Sequence, residues 1–172
     1  VFVDGDRPGA QKIGARFKVG GYPTLVLFTP EGSEITRLPG EADAPQVLSL
    51  LEAGLAGGRP IAAVLADARA GKVISANEWR MLAFHSWETD ESGVVAPADR
   101  PALLAELASQ CPPGDGETAT RLWLKALAAS DDGQGVKPDA ALRRRVEQVL
   151  GDAALSRTHM DVLGNGAADI VR

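Results

Sequence analysis

Three residues of this 172-residue chain carry a thiol or an imidazole, the side chains that most readily act as nucleophile or proton carrier near neutral pH: Cys111, His85 and His159. A lone cysteine cannot close an intrachain disulfide or supply the thiolates of a structural zinc site. Cys111 follows LLAELASQ and precedes Pro112-Pro113, at the end of an expected helix. It reads as a small apolar residue, with a redox or resolving thiol as the alternative. His85 stands in LAFHSW and reads as a hydrogen-bonded packing histidine; no acid motif accompanies it or His159. Asp131-Asp132-Gly133 lacks the ligand series of a calcium loop and reads as a turn. Trp79, Trp87 and Trp123 read as helix-packing aromatics, with groove lining the alternative. Arg143-Arg144-Arg145 reads as a solvated helix face, with a docking patch the alternative. No phosphate-binding loop, hydrolase triad, metal site or cofactor motif is visible.

A different stretch carries a sharper signal. In VGGYPTLVLF, residues 19–28, two glycines, a tyrosine and a proline run straight into an apolar strand. Proline cannot donate to a sheet ladder, so its place at the head of such a strand needs a special backbone state. The expected state is a cis Tyr22–Pro23 bond, since X–Pro is where cis bonds are affordable.

The elements that position these residues follow from periodicity and turn chemistry. VFVDGD (1–6) alternates and reads as a strand, and Ile13 and Phe17 mark the apolar face of a helix over 10–18. TLVLF (24–28) is apolar without alternation, which suits a strand buried on both faces. Thr29-Pro30-Glu31-Gly32 reads as a hairpin turn into a returning edge strand at 33–38, and 44–55 reads as an amphipathic helix. Beyond Gly57 strand signals stop. Helices are expected at 60–70, 76–87, 98–110, 117–129, 138–150 and 152–163, with Ser75 and Glu78 forming a capping box. The division is therefore 1–57 and an all-helical 58–172.

The composition is ordinary for a globular protein: 45% apolar, 24% charged, net charge −5. The mild acidity argues against nucleic acid or an anionic membrane as partner, and no apolar run approaches a membrane span. The chain opens on an apolar strand with neither methionine nor basic leader, and reads as a piece of a longer protein.

The ordered series VFVDGDRPG, ARFKV, GGYPTLVLF, the PEG hairpin, RLPGE and the amphipathic helix resembles the C-terminal two-thirds of a thioredoxin domain, of the disulfide-isomerase type. The resemblance covers about a third of the chain and implies an α/β thioredoxin-like domain followed by the helical domain. It implies a parent thiol–disulfide oxidoreductase acting on protein or peptide substrates with thiols or disulfides, at home in the periplasm or secreted. It also implies that Gly21, Tyr22, Pro23 and Thr24 line the substrate groove, where a peptide docks as an added strand. The family's first strand and helix, which carry its Cys-x-x-Cys pair, have no counterpart here and are expected upstream of Val1. Without that strand, buried sheet edges lack partners, at roughly 1 kcal/mol or more per unpaired group. The chain alone is therefore expected to be inactive in exchange. The alternative is a redox-inactive thioredoxin-like module that holds protein partners through this groove and the helical domain.

Overall fold

A computed structural model of the chain describes residues 2–19, 21–39, 44–55, 58–88, 93–130 and 135–171. Val1, Gly20, Gly57 and the Asp131-Asp132-Gly133 turn lie outside the described residues. The chain divides into two compact units, Val1–Val94 and Val95–Arg172.

In the first unit, Gly9 at φ 94° lets the backbone turn into helix α1, Ala10–Arg16. The helix ends where Lys18 takes φ 50°, with Val19 N–H donating back to Gly14 O at 2.8 Å. Strands β1, Thr24–Phe28, and β2, Glu34–Pro39, pair antiparallel across the Thr29–Gly32 turn, in which Gly32 has φ 87°. Helix α2, Ala44–Leu55, packs on both strands. Helices α3, Ile61–Arg69, and α4, Ala76–Phe84, complete the unit, and α4 packs against α2. The expected Ser75–Glu78 capping box closes the start of α4.

Two expectations about strands need correction. Residues 2–6 form no strand; Asp4 instead nucleates a turn, accepting from Asp6 N–H and Arg7 Nε. The strand buried on both faces is β2, not β1. Ile35, Thr36 and Arg37 are all buried, whereas β1 residues are half-buried and Leu25 is exposed. The cause is a β-bulge. Phe28 pairs with Glu34 and Leu27 with Thr36, so Ile35 is an extra residue in β2. In a regular strand residues three apart point to opposite faces. The bulge resets the alternation and brings Glu34 and Arg37 to one side.

The first unit also runs past residue 57, because long-range bonds tie its helices to β2. Thr36 Oγ1 and His85 Nδ1 lie 3.1 Å apart, and the His85 ring packs edge-on against Trp87. Trp87 in turn donates Nε1–H to Leu82 O at 2.9 Å.

The second unit is helical throughout its described residues. A 3-10 turn at Pro97–Asp99 leads into α5, Arg100–Gln110; α6, Gly116–Ala128, α7, Ala140–Gly151, α8, Ala153–Thr158, and α9, Met160–Ile170, follow. Asp115, Asp139 and Asp152 cap α6, α7 and α8 by accepting backbone N–H bonds. The single helix expected at 152–163 is broken at His159 into α8 and α9. Leu124 and Leu127 of α6, Leu142, Val146 and Val149 of α7, and Val162 and Ile170 of α9 share one core. At Gly166 the α9 backbone approaches so closely that a Cβ would fall well inside 3.0 Å of the Ala128 Cβ.

Candidate functional site

The four residues singled out in the sequence form one turn at the head of β1. The Tyr22–Pro23 peptide bond is cis, as expected. Thr24 Oγ1 donates to Gly21 O at 2.6 Å and closes the turn, which leaves Gly21, Tyr22 and Pro23 exposed and Thr24 half-buried. The apolar run that follows is what draws Thr24 into the strand, because its side chain is the last polar one before Leu25, Val26, Leu27 and Phe28.

Tyr22 is anchored although half of it faces solvent. Its hydroxyl donates to Ala10 O at 3.3 Å. Two glycines make room for it. A Cβ at Gly5 would lie 3.0 Å from the Tyr22 ring, and one at Gly14 would lie 3.0 Å from its hydroxyl oxygen. The ring therefore lies along the first turn of α1 and the Asp4–Arg7 turn. Its exposed remainder, with the exposed Gly21 and Pro23, makes a small aromatic and apolar surface at the head of β1. Such a surface suits an extended peptide, which brings apolar side chains and a hydrogen-bonding backbone together.

Beneath the turn, Arg37 acts as a clamp that the alternation pattern of SEITRL concealed. Its side chain is 2% exposed. Nε and Nη2 donate to the two oxygens of Glu34, each at 2.7 Å. Nη1 donates to Lys18 O at 2.7 Å and Nη2 to Phe17 O at 3.1 Å. The planar guanidinium thus joins β2 to the end of α1, two residues before the segment that enters the turn. The Phe17 ring adds an apolar contact, tilted against Phe28 with centroids 5.2 Å apart. The sequence signal was present as a Glu and an Arg three apart in a strand, but only the bulge makes them partners.

The remaining candidates belong to other elements of the two units. Cys111 is buried at the end of α5, its Sγ 3.7 Å from Asp115 O. Burial, reinforced by the Asp115 carboxylate, pushes its thiol up to about 11, so thiolate is scarce at neutral pH. His85 is a buried packing histidine on Thr36 and Trp87. Trp79 and Trp87 are buried in the first unit, and Trp123 packs on the core of the second. Arg143 and Arg144 are exposed, and Arg145 reaches the Thr120 hydroxyl. Among the described residues no cluster of histidine, cysteine and carboxylates could hold a metal ion. No described helix is long and apolar enough to cross a membrane. Compared with family models, with curated proteins and with solved structures, the chain finds no match in any of the three.

Proposed function

We propose that residues 1–55 are the C-terminal part of a thioredoxin-like domain, and that the protein they belong to is a thiol–disulfide oxidoreductase acting on protein disulfides. One observation carries the reading: the exposed 21–24 turn stands at the head of β1, and among the described residues β1 pairs on one edge only, with β2. A half-buried strand that is apolar from Leu25 to Phe28 and has an open edge is the expected remnant of a wider sheet. The family resemblance supplies what belongs on that edge: a strand and a helix carrying Cys-x-x-Cys.

In this reading an upstream thiolate attacks a substrate disulfide. A mixed disulfide forms and the second substrate sulfur leaves as thiolate. The other upstream cysteine then attacks the mixed bond, which yields a protein disulfide and a reduced substrate. Tyr22, Pro23 and the flanking Gly21 and Thr24 hold the substrate segment during this exchange. The localisation proposed with it is the periplasm or the secreted space.

A second reading, a redox-inactive module that holds protein partners, is favoured by Cys111. It is the one cysteine of the chain, it is buried, and its thiol is pushed up to about 11. Insulin reduction by dithiothreitol separates the two readings, with this chain, its Cys111→Ser variant and an upstream-extended form compared. The oxidoreductase reading expects turnover from the extended form alone. Inactivity of the extended form favours the binding module instead, and turnover by the short chain that Cys111→Ser abolishes overturns both.

A further inference from the structure

The α8–α9 corner of the second unit buries a titratable ring without hydrogen bonds. His159 is 1% exposed, and neither Nδ1 nor Nε2 has a partner. Its backbone is fully engaged: its N–H donates to Leu155 O, and its carbonyl accepts from Val162 N–H and Leu163 N–H. The ring is therefore held where the chain turns from α8 into α9. A neutral imidazole carries one donor and one acceptor nitrogen, and burying both unmet is unfavourable. A proton added there is worse, because a buried charge without a partner is the costlier state.

The charged neighbours fix the direction. On α6, Arg121 and Glu117 act on the ring, and on α9 Asp161 does. On α8, Arg157 is exposed and spends its Nε on Ala153 O. Asp161 is already engaged. Arg121, 2% exposed, donates Nη1 to Oδ1 at 3.0 Å and Nη2 to Oδ2, and Lys125 adds further positive charge. Of the two carboxylates that act on the ring, Asp161 is thus held by a buried guanidinium, while Glu117, the stronger of the two, is exposed to solvent. Burial first, and Arg121 second, hold the His159 pKa below its usual value, with Glu117 and Asp161 opposing.

We infer that this corner is an acid-sensitive latch: protonation of His159 releases α9 from α6 while α5 and α6 stay paired. In the open form the imidazole titrates near its usual value of about 6.5. Below that pH the open form takes up a proton that the closed form refuses. The opening constant then rises by at most about tenfold per pH unit, until the lower pKa of the closed form is passed. Above that pH His159 adds no pH dependence. Opening uncovers Val162 and Ile170 together with Leu124 and Leu127, an apolar face otherwise buried.

The chain has two histidines, so imidazole NMR on the full chain resolves both, and His159→Leu assigns them. The expected result is a His159 midpoint below 6.5. Amide exchange, corrected for intrinsic pH dependence, should lose protection in 160–170 by up to about tenfold per pH unit below 6.5, with 100–110 unchanged. In His159→Leu, or in His159→Gln should the leucine variant misfold, protection of 160–170 no longer depends on pH in this range. A midpoint at or above 6.5 overturns the inference. So does unchanged protection between pH 7 and 5, or a pH-dependent loss that persists in the variants.

Discussion

Replacing Gly166 by alanine tests whether close backbone approach holds the second unit together. The added Cβ would lie well inside 3.0 Å of Ala128 Cβ and 3.3 Å from Ala128 Cα. Non-bonded carbons rest at about 3.5–4.0 Å, so α9 must retreat from α6 by more than about 0.5 Å. Neither neighbour is the far end of a flexible side chain, so the backbones themselves must give. Val162 and Ile170 move with α9, away from Leu124 and Leu127. Overpacking of this kind costs about 1–3 kcal/mol, and alanine's helix propensity returns up to about 1 kcal/mol. The expected net loss is about 1–2 kcal/mol, confined to the second unit. Adding Ala128→Gly restores the space, so the double variant should recover most of the loss despite glycine's cost in α6. Fluorotryptophan labelling with urea unfolding followed by fluorine NMR reads the units separately, since Trp79 and Trp87 belong to the first and Trp123 to the second. A Gly166→Ala protein at least as stable as the parent refutes the reasoning, as does a double variant no better than the single.

Three other outcomes are expected. Arg37→Met should destabilise the first unit by about 2–4 kcal/mol in the same assay, and Arg37→Lys should restore only part, because one ammonium cannot span Glu34 and two carbonyls. Gly14→Ala should leave the first unit as stable or slightly more so, by up to about 1 kcal/mol from helix propensity, while pushing the Tyr22 hydroxyl off Ala10 O; Tyr22 ring shifts in NMR report the displacement. The Cys111 thiol is raised when folded, so its contribution to stability is full below the thiol's usual range, about 8.5, and is lost as pH rises towards about 11. Urea midpoints of the second unit should therefore fall between pH 8.5 and 11 more steeply than in Cys111→Ala.

Local features were legible in the sequence because their causes are local. The bounds of α2 match the apolar stripe at 44–55, and Ser75 and Glu78 announced the start of α4. The Gly-Tyr-Pro-Thr turn could be read because glycine's freedom and proline's restriction act on their own and immediately adjoining residues. The Arg37 clamp could not, since alternation put Glu34 and Arg37 on opposite faces and nothing in SEITRL marks Ile35 as the bulged residue. The extent of the first unit was hidden for the same kind of reason. It depends on Thr36 meeting His85 across 49 positions of chain, a contact that no window of periodicity contains. The break at His159 was not legible, since neither glycine nor proline stands there and the burial of its ring is set by distant parts of the chain.

The bulge at Ile35 has a consequence for how β2 tolerates change. Trimming Ile35 to valine removes one methyl group, a loss of about 0.5–1.5 kcal/mol. Deleting it removes a count. The strand would regain strict alternation with Glu34 and Arg37 two apart, so the pair would still share one face. In a scan that both substitutes and deletes each position, Ile35 should accept several aliphatic letters, and its deletion should keep the Glu34–Arg37 pair while losing a buried side chain. What that position contributes is a buried aliphatic side chain, and the ion pair beside it does not depend on the extra residue.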